Sequence, residues 1–358
     1  DTLWTSATTL SLYDPFAANA LTLRFVRRAF AAGLPRWVVR AIALEAAFLS
    51  ALGGRFRRRA DRMMTELRTR AALARPYEQA WAAATEGSTA WLAGDIRRCY
   101  EWTSRARELF RGIPETGAYE FVLLDAFRLP AMALLGHHAA ALTSADDVLA
   151  LARTRGDRFS TLPCLHGHIT LAYLGAGQPE RAAAAVDEAR AIAQHSSSAS
   201  STSSPVPAYH QVWSRATLAL YDGRGEDAHR LITGAWCALR RSGMLRLEAV
   251  AGDLRYLRAR CALAAARSLS GRGRARRVRD ATAQSHWLRR CALALGPATA
   301  DAIDAQIAAL DGRRSDDRSL ASAASTALRG LGLVPDADAL DRWSSGAPLE
   351  PIDQLYVS

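Results

Sequence analysis

The sequence predicts an all-α protein, a right-handed solenoid of seven to eight stacked antiparallel helical hairpins. Three observations carry that prediction. Glycine turns recur at Gly53-Gly54, Gly94-Asp95, Gly136, Gly177, Gly223, Gly271 and Gly312, in steps of 41, 42, 41, 46, 48 and 41 residues, a period of about 41. Apolar residues repeat at alternating spacings of three and four on both sides of the turns, the pattern of an amphipathic helix. A small residue stands five positions beyond the turn glycine in four units, at Cys99, Ala141, Ala182 and Ala228, where it lets two helix backbones approach closely. Units of this kind bury their apolar faces only against their neighbours, so their usual task is to hold another molecule.

In chain order the predicted pairs are 2–12 with 16–32, 37–52 with 56–73, 77–93 with 96–111 and 118–135 with 138–154. They continue as 162–175 with 179–194, 208–221 with 226–241, 245–269 with 275–295, and 298–310 with 316–330. The pair 77–93/96–111 shows the pattern most clearly. Tyr77, Trp81, Ala84, Ser88 and Trp91 line one face before Gly94-Asp95 stops the helix, and Ile96, Cys99, Thr103, Ala106 and Phe110 repeat the spacing on the way back. Pro130 predicts a kink in helix 118–135. Gly177-Gln178-Pro179-Glu180 places a proline at a first helical position, where its missing N–H costs nothing. Tyr209, Val212, Ala216 and Leu220 precede the Asp222-Gly223 turn, and Ala228, Leu231, Ala235 and Ala238 follow it.

The solenoid is thus expected over 1–330, interrupted at 195–207 by a serine-rich segment closed by Pro205 and Pro207. That segment reads as a flexible loop, or alternatively as a cluster of phosphoacceptors near arginines. The stretch 331–358, with Pro335, Pro348 and Pro351, reads as a short cap followed by a loose tail. A chain opening on Asp1 and not methionine is expected to be a fragment, a processed product or an incomplete gene product.

All 46 basic residues are arginine. Without lysine there is no phosphate-binding loop of the G-x-x-x-x-G-K-[ST] type, no kinase strand lysine and no Schiff-base lysine. A net charge of +11 suggests an acidic partner: nucleic acid, an acidic protein surface or anionic lipid. Five cysteines without short pair spacing argue against a zinc site or a disulfide framework and suit a reducing cytoplasm. No apolar run is long enough to span a bilayer, and no charged-then-apolar leader opens the chain.

The candidate anion or partner contacts are two arginine runs at hairpin turns: Arg55, Arg57, Arg58 and Arg59, and Arg272, Arg274, Arg276, Arg277 and Arg279. On one edge of a solenoid they form a phosphate-binding stripe, although neither run carries the interleaved aromatics of a single-strand platform. Cys164-Leu165-His166-Gly167-His168 is the nearest approach to a metal motif. On a continuous helix, however, Cys164 and His168 share a face from which His166 points away, so ordinary packing is expected and no metal or other cofactor is assigned. His137-His138 reads as the polar start of a helix. The carboxylate pairs Asp146-Asp147 and Asp316-Asp317 read as anions favoured near helix starts. Nine tryptophans are expected to be mainly packing anchors, with any that line the concave face acting in recognition.

Laid out as hairpins, the chain resembles a tetratricopeptide-type array with helices longer than the standard unit. Its opening, from Asp1-Thr2-Leu3-Trp4 through Leu12-Tyr13-Asp14-Pro15-Phe16, with Arg40-Ala41-Ile42-Ala43-Leu44-Glu45-Ala46-Ala47-Phe48, resembles the helical region carboxy-terminal to the catalytic domain of large bacterial serine/threonine protein kinases. Trp91-Leu92-Ala93-Gly94-Asp95 and Leu328-Arg329-Gly330-Leu331-Gly332 are similar to that region too. The resemblance covers most of the chain and rests mainly on turn and packing residues. It implies a regulatory or substrate-docking role in a cytoplasmic signalling protein. No H-R-D, D-F-G or glycine-rich nucleotide loop with its lysine is present, so no kinase residue maps onto this chain.

The expected function is therefore a non-catalytic interaction scaffold holding a protein or peptide segment on its concave face. A ligand-sensing repeat array of a transcription activator is the alternative, and recognition of nucleic acid or phosphate along the arginine edge ranks behind both. An enzyme is expected only if a deep pocket collects strongly perturbed carboxylates or histidines.

Overall fold

The computed structural model describes residues 2–197, 204–312 and 314–357; within them, the side chains of 158–159, 195–197 and 314–317 lie outside the described set. The described residues form eighteen α-helices and three short 3-10 turns, with no strand. Helices pack chiefly on their neighbours in sequence.

The first pair is α1 (Thr2–Ser11) and α2 (Pro15–Ala32), followed by α3 (Pro35–Leu52) and α4 (Arg57–Ala71), then α5 (Pro76–Leu92) and α6 (Ile96–Arg111). Proline opens α2, α3 and α5, where no backbone donor is lost. Asp14 caps α2 by accepting from the N–H groups of Phe16 and Ala17 at 3.1 and 3.0 Å, and Asp95 caps α6 through Arg98 N at 3.1 Å. The buried residues of α6 are Ile96, Cys99, Thr103, Ala106 and Phe110, the stripe expected from spacing.

The middle of the chain holds α7 (Ala118–Leu134), which runs on through Pro130, and α8 (His138–Arg155). Where one helix was expected over 162–175, the structure has two, α9 (Arg158–Leu165) and α10 (Ile169–Gly175). They are separated at Gly167, whose φ of 77° an L side chain rarely adopts. Next come α11 (Pro179–Ser197), α12 (Pro205–Tyr221) and α13 (Gly225–Arg241). Helix therefore extends into both ends of the serine-rich segment, and its centre, 198–203, lies outside the described residues.

The last helices are α14 (Glu248–Arg267), α15 (Gly271–Arg290), α16 (Gly296–Leu310), α17 (Arg314–Gly330) and α18 (Val334–Ser345). Each of the seven predicted turns carries a glycine at positive φ, and the small residues Cys99, Ala141, Ala182 and Ala228 are wholly buried at the helix crossings. The carboxy-terminal stretch differs from the loose tail expected of it. Leu355, Tyr356 and Val357 are buried, and their carbonyls accept from Arg260 Nη1 at 2.8 Å, Gln306 Nε2 at 3.2 Å and Arg267 Nη2 at 2.9 Å respectively. Periodicity misses this because the anchor is made by guanidinium and amide groups on distant helices.

An amino-terminal aromatic core joins Trp4 edge-on to Trp81 at 4.8 Å and Trp81 to Phe110 at 5.5 Å. The larger core runs from Ala51 to Val357. The row of pairs also bends back on itself. Val206 N donates to Tyr13 O at 3.1 Å, Ala294 N to Ala93 O at 2.9 Å, and Arg57 Nη1 to Ala292 O at 3.2 Å, so helices from both halves of the chain face one another.

Candidate functional site

Bending the row places a cavity of about 310 Å³ between the two halves. Its wall draws on α1, α2, α3, α5 and α7 from one half and on α12, α14, α16 and α18 from the other. That volume lies at the lower end of pockets that hold drug-sized molecules, which span roughly 300–1,000 Å³. Most of the wall is apolar, including the rings of Phe48, Trp91 and Phe127.

A polar cluster interrupts it. The break at Gly167 turns both His166 and His168 to the cavity. On an unbroken helix these two would point apart; the bend brings them together beside α12 and α14. Gly167 N donates to Ser214 Oγ at 2.7 Å; its φ of 77° favours glycine, and a β-carbon there would also press on the His210 ring at 3.2 Å. His168 Nε2 lies 3.0 Å from Asp253 Oδ1, and Tyr209 O–H donates to Asp253 Oδ2. The His168 ring packs at 4.3 Å against Trp213 and edge-on at 5.3 Å against Trp91. His166 and His210 meet at 5.1 Å.

A second carboxylate joins the wall from the first turn of α18. Asp336 Oδ1 accepts from Tyr256 O–H at 3.2 Å, and Tyr256 follows Asp253 by one turn of α14. Two carboxylates, Asp253 of α14 and Asp336 of α18, thus line the cavity, each held by a tyrosine hydroxyl. Three buried polar atoms of the lining residues, Asn19 Oδ1, His166 Nδ1 and Asp336 Oδ2, have no hydrogen-bond partner in the protein. Buried polar groups are almost always paired, so three unpaired ones on residues lining a single cavity make it a candidate binding site.

The cluster's protonation follows from this environment. Burial lowers His166 to about 4, and burial with the nearby His166 and His168 holds His210 well below its ordinary value. Burial opposes ionisation of Asp253, but the charge of His168 and the hydrogen bonds from His168 and Tyr209 outweigh it, leaving the carboxyl below its usual range. Burial raises Asp336 to about 6 despite the opposing effect of Arg260. Among the described residues no group of three His, Cys, Asp or Glu side chains is placed to hold a metal ion. Cys164 is buried, its thiol pushed well up, and it turns back to Ser160 O at 3.8 Å.

The arginine runs lie elsewhere. Arg57 reaches Ala292 O, just past the end of α15, and Arg59 pairs with Glu45 at 3.2 Å. In the second run Arg274 donates to Leu310 O and Arg277 pairs with Glu226. Arg58, Arg272, Arg276 and Arg279 are exposed, and Arg55 lies over the Phe56 ring at 4.9 Å. Arg57 of the first run thus reaches the far end of α15, while the second run occupies the first half of that helix, about 20–30 Å away along it. The bend of the row separates them by setting the Gly54 turn against the start of α14.

His138 begins α8 as expected, but Asp146-Asp147 falls mid-helix, with Asp146 paired to Arg181. The side chains of Asp316 and Asp317 lie outside the described residues. Trp91 is the tryptophan that reaches the cavity wall, and the other eight pack within or against the helices. Sequence reasoning missed the His166, His168, His210, Asp253 and Asp336 assembly, which four separate helix ends and bends bring together. Pro163 four residues before Gly167 was the available signal for the bend. Among the described residues no helix is long and apolar enough to cross a membrane. Comparison with protein-family models, with curated proteins and with solved structures finds no match to this chain.

Proposed function

We propose that this chain is a non-catalytic, ligand-sensing regulatory array, in which a small molecule bound inside the bent row of helix pairs sets how firmly its two halves hold together. In this reading the pairs form a right-handed, tetratricopeptide-like solenoid curled around the cavity. Resemblance to the region behind bacterial serine/threonine kinase domains supplies its setting, a signalling protein whose protein partners dock on the outside. The observation that carries the reading is the cavity itself, with three buried polar atoms lacking partners in a wall built from both halves. A protein segment on the inner face has less support, because the opposite walls already bond to each other through Tyr13–Val206 and Ala93–Ala294. Any ligand contacting both walls favours the closed form in proportion to its preference for that form.

The test is recovery of the ligand. Protein purified from its own source is denatured in organic solvent and the extract compared by mass spectrometry with that of an Ala249→Trp variant, whose indole fills the cavity from α14. A small molecule present with the natural chain and absent from the variant is expected. An extract identical for the two proteins overturns the reading.

Proton-transfer catalysis is a second reading, favoured by the 3.0 Å contact of His168 with Asp253, in which the carboxylate would orient the imidazole as a base. A recovered ligand that the protein returns chemically unchanged after prolonged incubation decides for sensing. Conversion lost in His168→Gln decides for catalysis.

A further inference from the structure

The cavity departs from the rest of the molecule in its charge. A chain with 46 arginines and a net charge of +11 places no arginine among the residues lining this cavity, and no glutamate. The ionisable groups there are the carboxylates of Asp253 and Asp336, three histidines and the tyrosines that face them. Asp253 has both oxygens engaged, by His168 and Tyr209. Asp336 does not. Its Oδ1 accepts from Tyr256, its Oδ2 has no hydrogen-bond partner, and the residue is 4% exposed.

Arg260 is the positive group whose charge bears on Asp336, and its Nη1 is hydrogen-bonded to another partner. Its guanidinium lies 4.4 Å from the Tyr256 ring centre and donates through Nη1 to Leu355 O, and Arg260 does not line the cavity. A buried carboxylate oxygen without a donor is costly, and a charged donor compensates such a group best. An anionic ligand would be buried beside two carboxylates with no guanidinium to meet it. A neutral ligand without a donor would leave Asp336 Oδ2 unpaired. Aromatic rings lining the same cavity also favour a cation, because ring faces attract positive charge.

We propose that the cavity takes a small organic ammonium ion with an apolar or aromatic body, its N–H donating to Asp336 Oδ2 and its body lying among Phe48, Trp91 and Phe127. The assignment rests on the ligand-sensing reading and specifies the chemistry of the ligand. The ammonium supplies the donor that the protein itself does not give to Asp336 Oδ2. Selectivity comes from a lining that carries two carboxylates and no arginine.

The test uses three probes of one skeleton on the full chain: 3-phenylpropylamine, 3-phenylpropan-1-ol and 3-phenylpropanoate, followed by titration calorimetry. The amine is expected to bind at least about tenfold more tightly than the alcohol, and the carboxylate to give no heat. Asp336→Asn, which keeps shape and removes charge, is expected to lower amine affinity about tenfold and leave the alcohol unchanged. The comparison of three probes on the unaltered chain needs no variant, so a folding failure of Asp336→Asn leaves the test intact. An alcohol or carboxylate that binds as tightly as the amine overturns the ammonium assignment while the cavity stands as a ligand site. Heat from none of the three up to about 1 mM overturns the assignment as well. The ligand-sensing reading falls only if solvent extraction also recovers nothing.

Discussion

Glu248 accepts the backbone N–H of Gly54 at 2.8 Å across 194 positions of sequence, while its other carboxylate oxygen accepts Ala292 N at 2.9 Å. One side chain at the start of α14 therefore ties the α3–α4 turn to the loop that follows α15. The fit is close: a β-carbon on Gly53 would collide with the Glu248 carboxylate. Glu248 thus acts as a latch between the halves whose facing walls form the cavity.

Glu248→Ala removes two charge-assisted acceptors and should destabilise the chain by about 1–3 kcal/mol, tempered by the partial exposure of the site. Hydrogen exchange should quicken at the amides of Gly54 and Ala292, and small-angle scattering should report a larger radius. Unchanged exchange at both amides would show that Glu248 does not hold the halves together.

Gly94 and Gly223 serve the same turn position, at φ of 76° and 70°, but meet different surroundings. A β-carbon at Gly94 would lie 3.2–3.3 Å from Leu295 and Ala294 across the closure, whereas one at Gly223 meets nothing within 4 Å. Alanine at either position should cost about 1 kcal/mol from backbone strain. Gly94→Ala should cost visibly more, measured by urea denaturation, because the opposite wall must also shift.

Asp280 is held down to about 2 by hydrogen bonds from His229, Arg258 and Gln284, which prevail over the effect of its burial. A depressed carboxyl adds stability above its unfolded value near 4, lost as pH falls toward 2. Asp280→Asn should therefore lower stability at neutral pH by about 2 kcal/mol and flatten the acid limb of the stability profile between about pH 4 and 2.

Asp336 behaves in the opposite sense. With its carboxyl raised to about 6, the folded chain binds more protons than the unfolded one between about pH 4 and 6, so stability falls as pH rises through that window. Asp336→Asn should abolish that fall and stabilise the free protein near neutral pH by about 1–3 kcal/mol, read as a higher Tm. A residue that destabilises the empty protein and is retained in a cavity fits a ligand contact, the common trade between stability and activity.

The local architecture was legible because it is written in short-range periodicity. Turn glycines, the small residues at helix crossings and the buried stripe of α6 all depend on neighbours within one hairpin, and each stands where spacing placed it. The site was not legible for the converse reason. His168 and Asp253 lie 85 positions apart, and Tyr256 and Asp336 lie 80 apart, so their meeting depends on the accumulated bend of the row. Small rotations per pair set that bend, and no residue pattern states them. Treating 162–175 as one helix had the further effect of pointing His166 the wrong way.

The latch contacts also impose an order on folding. Hairpins join residues close in sequence and can form as each pair leaves the ribosome, whereas Arg57–Ala292 spans 235 positions and must wait until α15 has been made. Until then Phe48, Trp91 and Phe127 have no facing wall and stay open to solvent. A nascent chain that stalls between Phe127 and Ala292 presents a sticky apolar trough, and that is the interval in which this protein most needs a chaperone.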